Sequence, residues 1–459
     1  MNEMNVLKRQ HGLFVSICFV VGFVVGTGIF FLPGRVLYEA GGSLQLGVLA
    51  WLIGGLMILP CVYMFSVFAG KYEKIHGFVD YVETIVGEKY GYLAGWFFAV
   101  MYQPAGYAII AWITSGFTAT LFGISSANEG YSAFRFFVSA FFMAMTFMMN
   151  YFAHKLPVKY NVATTLARLI PLVLMGTVGV IWGVFNLGEF EQAYLMSVPQ
   201  REASLFAAIS ATAFAFNGWQ AALAFNSEIK DSKRNFPIAL FFGFLAVIVV
   251  YVLYFVGVVT NSPDGGMTIM QGGGGNFASG THMAFTQVFG EGAASVLVIF
   301  MIISGLGILN ACCLGMSRAM YALGRRGRGP LPHRTGVLDP LTHVPNHSMV
   351  MAVGLSFLWY AVIFVNFHGW FGWFDFAFSL PDFYNFSFFA MLIPLFVAFL
   401  VREKEMGVVK RLILPLIATG GAGFMFVTYW IGSIRHGVVY SGVFVVLAGV
   451  GFLFYRGKA

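Results

Sequence analysis

Apolar runs long enough to cross a bilayer follow one another almost end to end in this chain, and no other feature constrains its fold as strongly. A hydrocarbon core needs about 20 consecutive apolar residues per helix. Inside it there is no water to satisfy the backbone, so such runs must fold with their hydrogen bonds closed internally. Twelve runs meet the requirement, near Phe14–Leu37, Leu44–Phe68, Gly91–Leu121, Phe134–Phe152, Val162–Phe185, Ala203–Ser227, Pro237–Val259, Gly292–Leu323, His347–Val365, Ser379–Leu400, Arg411–Ile431 and Val439–Tyr455. They are numbered here as spans 1–12, with a helical extension allowed before span 8. Charged residues make up 10% of the chain, against about 25% in soluble domains. An ordinary cytosolic enzyme and a disordered protein are excluded on that ground. Cys18, Cys61, Cys312 and Cys313 all fall inside apolar runs, so no disulfide framework is expected. The first run lacks a small-residue cleavage site and is read as retained rather than as a signal peptide. The fold class is therefore all-α and polytopic, with about 12 transmembrane helices in one membrane unit.

The net charge of +7 does not point to nucleic acid, because the basic residues sit in short tracts between spans rather than in a basic arm. Placing the N-terminus inside puts all but five of the 26 lysines and arginines in the cytoplasm, the exceptions being Arg35, Arg135, Arg168, Arg201 and Arg435. Both termini are then cytoplasmic, in a plasma membrane that is most simply a bacterial inner membrane. The Gly-rich stretch Ser262–Gly280 falls outside, between spans 7 and 8, and reads as a flexible connector rather than a phosphate cradle.

Catalytic chemistry is hard to place. The nine histidines map to loops or span ends, and no Glu lies in the middle of a span. His343 and His347 are four apart, but Pro345 separates them and a third ligand is lacking. No metal, no cofactor and no enzyme activity are expected.

Two polar interruptions carry the positive signal. Span 1 contains Gly26-Thr27-Gly28, and span 6 contains Phe214-Ala215-Phe216-Asn217-Gly218-Trp219. Each can be helix packing, as the Gly22/Gly26 pair allows, or a point where the helix unwinds and offers backbone N–H and C=O groups to a ligand. They lie five spans apart. Five is odd, so a repeat of spans 1–5 in spans 6–10 is inverted in the membrane. Paired interruptions in two inverted halves point to a transporter site at the midplane. Half-helix N-termini suit a carboxylate and freed carbonyls suit an ammonium group, a pairing that fits an α-amino acid.

Gly26-Thr27-Gly28-Ile29-Phe30 resembles the glycine-rich first-helix motif of the amino acid–polyamine–organocation (APC) superfamily. The Phe214–Trp219 string, followed by Glu228 and Lys230-Asp231-Ser232-Lys233-Arg234-Asn235-Phe236-Pro237, resembles its sixth-helix signature. Ser317-Arg318-Ala319-Met320-Tyr321-Ala322-Leu323-Gly324-Arg325, then Gly329-Pro330-Leu331-Pro332 and Val344-Pro345, resembles the signature after helix 8. The string Phe214-Ala215-Phe216, with Gly218-Trp219, is most similar to bacterial relatives of the L-type amino acid transporters. The resemblance implies a five-plus-five inverted-repeat (LeuT-like) fold with helices 1 and 6 broken, residues 12–200 and 201–405 forming the repeats and 406–459 adding two helices. It implies an alternating-access carrier whose substrate carboxylate meets the amides of Thr27 and Gly28, in the break that includes Gly26. The ammonium would meet carbonyls near Val24, Phe214 and Asn217. Phe214 would be a gate, and Gly218 and Trp219 would shape the side-chain pocket. Tyr107, with Gln103 beside it, and Asn310, Tyr384 and Asn385 are further pocket candidates.

Arg168 lies roughly 12 Å into span 5 at ~1.5 Å per residue, a depth at which an ionisable group marks function unless it snorkels. Its place resembles that of a helix-5 lysine which in some members stands in the sodium-site region. Arginine keeps its proton where lysine can lose it, so a fixed cation bridging spans 1, 5 and 8 is expected, with exchange or facilitated transport ahead of proton symport. Neutral amino acids are the expected substrates, since no carboxylate stands at depth. A proton-coupled symporter, a polyamine or cationic amino acid carrier, and an amino acid sensor of the same fold are the alternatives. Mammalian L-type relatives join a heavy chain through a cysteine between spans 3 and 4; the loop Gly123–Gly130 has none, so no disulfide-linked subunit is expected.

Overall fold

The computed structural model describes residues 12–72, 78–125, 127–152, 164, 167–186, 202–223, 229–262, 279–340, 344–368, 378–432 and 434–455. Of the Gly-rich connector expected over Ser262–Gly280, residues 263–278 lie outside the described residues, while Ser279 and Gly280 already belong to a helix; Glu228 and Asp375, the latter expected at the outer end of a span, also lie outside. Among the described residues, ten helices are long and apolar enough to cross a membrane. They are span 2 (Leu44–Lys71), span 3 (Glu88–Leu121), span 4 (Tyr131–Phe152), span 5 (Ala167–Phe185), span 7 (Ser232–Thr260), span 8 (Glu291–Arg325), span 9 (Asn346–Phe367), span 10 (Leu380–Arg402), span 11 (Val409–Ile431) and span 12 (Ile434–Leu453). Spans 1 and 6 are missing from that set because each is broken. Span 1 is Leu13–Val24 followed by Gly28–Glu39, and span 6 is Leu205–Thr212 followed by Trp219–Ala222. The extension before span 8 is the helix Ser279–Phe289, separated from it by Gly290 at φ 83°. Helix Phe78–Ile85, between spans 2 and 3, was not anticipated from hydropathy, being short and amphipathic.

The packing partners map onto themselves when span n is exchanged with span n+5. Span 2 packs on span 7 and span 3 on span 8. The first half of span 1 packs on span 7, as the first half of span 6 packs on span 2. Spans 3 and 4 pair as spans 8 and 9 do, and span 9 on span 3 answers span 4 on span 8. Spans 5 and 10 depart from the correspondence: span 5 lies on span 7, whereas span 10 lies on span 11, which itself occupies a face of span 2. Close approach rests on small residues. A Cβ at Gly305 of span 8 would fall 2.1 Å from Thr114 Oγ1 of span 3, and one at Gly54 of span 2 would fall 2.2 Å from Thr212 Oγ1 of span 6.

Local irregularities are matched by side chains from other spans. Pro104 cannot donate to the carbonyl four residues earlier, and Trp359 Nε1 of span 9 donates to that Val100 carbonyl instead, at 2.9 Å. The same stretch of span 3 makes a π-helical turn at Phe98–Tyr102. Span 5 has a π turn at Met175–Gly179, whose Gly179 carbonyl accepts from Asn261 Nδ2 at 2.8 Å.

Ion pairs close both ends of the bundle. At the end that the charge distribution assigns to the cytoplasm, Lys71 pairs with Glu403, Arg326 with Asp80 and Glu83, and Arg328 with Glu88. At the other end Arg35, on the second half of span 1, pairs with Asp382 at the start of span 10, 3.1 Å apart.

Candidate functional site

The two interruptions face each other. Val25 leaves the helical region at ψ 99°, which ends the first half of span 1, and the chain is helical again from Gly28. In span 6 the helix stops at Thr212, turns through Ala213–Phe216 and passes Asn217 and Gly218 before Trp219. Gly218 holds φ 102°, a conformation that only glycine adopts cheaply. A Cβ at Gly28 would stand 3.1 Å from the Cα of Ala215 and 3.1 Å from Cδ1 of Phe214, so the start of one half-helix abuts the other break directly.

Side chains from spans 5 and 7 hold the freed carbonyls. The Tyr251 hydroxyl on span 7 lies 3.1 Å from the Val24 carbonyl and 3.1 Å from the Ala215 carbonyl, and so joins both breaks through one donor. Arg168, 4% exposed, donates from Nη1 to the Val25 carbonyl at 2.9 Å. Span 5 also meets span 8 beside it, where a Cβ at Gly307 would reach Thr164 Oγ1. The Val24 carbonyl has two lone pairs, one of which Tyr251 engages. Among the described residues, the Phe214 carbonyl receives only a long contact from the Asn217 amide, at 3.5 Å. Thr27 is buried, and its Oγ1 has no hydrogen-bond partner among the described residues. Of the first-turn amides after Thr27, that of Phe30 turns back to the Thr27 carbonyl at 3.1 Å, while Gly28 and Ile29 begin the half-helix, where amides lack intrahelical acceptors and carry the positive end of the dipole. Gly26 faces the Ile308 side chain of span 8, 3.4 Å from where its Cβ would be.

The aromatic and amide groups divide into two sets. Phe214 is half-buried between Phe31 and Tyr384, with ring centroids 6.1 Å and 6.0 Å away. Tyr384 stacks on Tyr102 of span 3 at 4.0 Å, and Asn385 accepts a hydrogen bond from Asn217. Gln220 accepts from the Gly218 amide and donates to the Tyr102 hydroxyl, which ties the second break to the π turn of span 3. Trp219 is buried against Phe65 and Phe388 in a larger aromatic cluster. Tyr107 and Asn310 face elsewhere: the Tyr107 hydroxyl donates to the Met143 carbonyl of span 4 at 2.6 Å, and Asn310 accepts from Asn150 of span 4 at 2.8 Å. Gln103 lies against Gly315 of span 8. Tyr251, Tyr102 and Gln220 were not singled out from the sequence. The one available signal was a tyrosine in mid-span, at the centre of Val249-Val250-Tyr251-Val252. Among the described residues, no group of three or more His, Cys, Asp or Glu could hold a metal ion.

Two broken helices meeting inside an inverted-repeat bundle of twelve spans define a secondary transporter. The chain matches the amino acid permease family over residues 12–453, and it belongs to that family. It is 26% identical over 359 residues to the serine/threonine exchanger SteT of Bacillus subtilis (strain 168), covering 78% of this chain and 77% of that protein. It is 25% identical over 394 residues to the glutamate/serine transporter AimA of the same organism, covering 80% and 67%. The human large neutral amino acids transporter small subunit 2 is 26% identical over 334 residues, covering 71% and 59%. The fold is similar to that of Mhp1, a nucleobase-cation-symport-1 family transporter solved in a closed conformation with bromovinylhydantoin bound. That likeness has a TM-score of 0.53 at 13% identity and covers 99% of this chain and 98% of that one.

Proposed function

We propose that this permease carries small neutral α-amino acids across the plasma membrane by alternating access, as an exchanger or facilitator, with no covalent step. The observation that carries the reading is the Tyr251 hydroxyl joining the Val24 and Ala215 carbonyls, because it keeps both unwound segments at one point. The substrate carboxylate takes the amides at Thr27 and Gly28, and the ammonium takes the remaining lone pairs of the Val24, Phe214 and Asn217 carbonyls. Phe214 closes over it between Phe31 and Tyr384, while Gly218, Trp219 and the Asn217–Asn385 pair bound the side-chain space. Residues 12–200 and 201–405 act as the two repeats, and both termini face the cytoplasm. The substrates that the bacterial relatives are named for, serine, threonine and glutamate, favour small or polar side chains. All charged carboxylates among the described residues sit at helix ends or in connections, which disfavours a cationic substrate.

Radiolabelled counterflow in proteoliposomes tests this, with a mixture of neutral amino acids inside, sodium omitted and pH equal on both sides. Trans-stimulated uptake that disappears in Gly28→Leu supports the reading. Saturable binding without flux under any gradient would make the protein a sensor instead. Arg168 donates to the Val25 carbonyl as a fixed cation, so neither sodium nor a proton is needed there. Uptake driven by a pH gradient that survives Arg168→Lys but not Arg168→Gln would overturn that part.

A further inference from the structure

A crevice of about 180 Å³ lies between spans 3, 10 and 12, away from the broken helices. Leu93, Val100, Met101, Ala390, Phe444 and Ala448 are among its walls. Its two polar side chains are already satisfied: Tyr90 donates to the Met391 carbonyl and Trp96 Nε1 to the Leu447 carbonyl, both at 3.0 Å. The walls therefore offer hydrocarbon and no spare donor. An apolar space of this size, about six water volumes at ~30 Å³ each, stays dry, and left empty it forfeits the dispersion contacts of its lining. Pro394 on its rim is exposed, so the crevice opens sideways from three membrane-spanning helices onto the bilayer. It runs along the first half of span 3, from the middle of span 10 towards its C-terminal end, and along the second half of span 12, which places it between the midplane and the cytoplasmic ion pairs. Lys89, next to the lining Tyr90, is exposed and has no side-chain partner among the described residues.

We propose that this crevice binds one acyl chain of an anionic phospholipid of the inner leaflet, with the headgroup phosphate on Lys89. The gap has a structural cause on each side. Span 3 bulges in the π turn Phe98–Tyr102, and span 10 carries Pro394 opposite it. π turns within helices recur at functional sites. Here Met101 faces the crevice, while its neighbour Tyr102 stacks on Tyr384 beside the broken helices. A seated chain therefore packs against the turn that positions Tyr102.

The site stands or falls independently of the transport reading. The full-length protein is reconstituted in phosphatidylethanolamine/phosphatidylglycerol vesicles containing increasing fractions of phosphatidylglycerol with a diazirine on one acyl chain, illuminated, and mapped by peptide mass spectrometry. Labelling at residues 90–101 and 444–448 is expected to saturate, while labelling at the exposed Phe137 and Phe141 of span 4 rises in proportion to the probe. Ala448→Phe or Ala390→Leu should weaken crevice labelling about tenfold, the effect of displacing about two methylenes, and Lys89→Gln should raise the half-saturating fraction. Crevice labelling that rises in proportion to the probe as on span 4, or that is unchanged in both filling variants, would overturn the site. An unchanged half-saturation in Lys89→Gln would remove the phosphate contact. Should a filling variant not elute as a monodisperse species, saturation in the wild-type protein against span 4 decides alone.

Discussion

Gly28 and Gly26 look interchangeable in sequence, yet the structure predicts opposite responses to a single methyl group. A Cβ at Gly28 would sit 3.1 Å from Ala215 Cα, 3.1 Å from Phe214 Cδ1 and 3.4 Å from Ala215 N. Ordinary carbon–carbon contact begins near 3.5 Å, so the two breaks must separate by a few tenths of an ångström. Backbone cannot swing aside as a side-chain end can. Overpacking of this kind costs about 1–3 kcal/mol, and a small displacement belongs at the lower end, about 1–2 kcal/mol or a factor of about 5–30. A Cβ at Gly26 meets only Ile308 Cδ1 at 3.4 Å and the Val24 oxygen at 3.8 Å. That change belongs within about 0.5 kcal/mol, near twofold. Half-saturation of counterflow in proteoliposomes should therefore rise about 5–30-fold in Gly28→Ala and stay within about twofold in Gly26→Ala. Adding Phe214→Leu to Gly28→Ala should leave the defect largely in place, since the Ala215 backbone contact persists. Gly28→Ala transporting like wild type, or Gly26→Ala failing equally, would refute the claim that the breaks are in backbone contact at Gly28.

Gly218→Ala forces a Cβ into φ 102° and should cost about 1–3 kcal/mol, read as a lower melting temperature with weaker counterflow. Tyr251→Phe strips the shared donor from two buried carbonyls. It should destabilise by about 1–3 kcal/mol and slow exchange severalfold, whereas the same change at half-buried Tyr63, whose ring packs on Phe241, should do neither. Burial pushes the Glu403 carboxyl up, but hydrogen bonds from Lys71 and Tyr72 and the charge of Lys71 outweigh it and hold the group below the ordinary range. The unfolded chain then binds more protons in that window, so the stabilisation is present at neutral pH and lost as pH falls below about 4. Thermal melting against pH should show this loss in wild type and a smaller one in Glu403→Gln.

The spans were legible because hydropathy alone decides which stretches can lie in lipid, and the two that fail to form continuous helices are those with polar interruptions. Gly26-Thr27-Gly28 marked its break to within a residue. The second break was less sharp: Asn217-Gly218 marks its end, but the turn begins at Ala213, inside Ala211-Thr212-Ala213, where local sequence resembles any apolar helix. Tyr251 and Tyr102 escaped for a different reason. In a chain with 52 Phe and 20 Tyr, one mid-span hydroxyl is unremarkable until its acceptor is known. The acceptors of Tyr251 lie 227 and 36 residues away. Tyr107 and Asn310 show the converse: each is polar and mid-span, and the Tyr107 hydroxyl and the Asn310 Oδ1 are both bonded to span 4. Residue type and depth cannot tell these cases apart, because the difference lies in which neighbouring span the side chain faces.

The bonding at the breaks also bears on what drives transport. An unwound segment in a low-dielectric interior is stable only if its carbonyls find donors. In a carrier that uses a cation for this, the empty and ion-loaded states differ in how well the break is satisfied, and the ion gradient enters the cycle there. In this chain the donors at Val24 and Val25 are a tyrosine hydroxyl and an arginine, both covalently part of the scaffold. They do not dissociate between half-cycles. On the exchange reading, the break is therefore satisfied to the same degree whichever side the site faces. The substrate becomes the one component whose presence changes the energy of the two breaks. A site pre-organised in this way spends little binding energy on ordering its own backbone, so the return of an empty site gains nothing from a cation at this position. Transport then follows the gradients of the amino acids themselves.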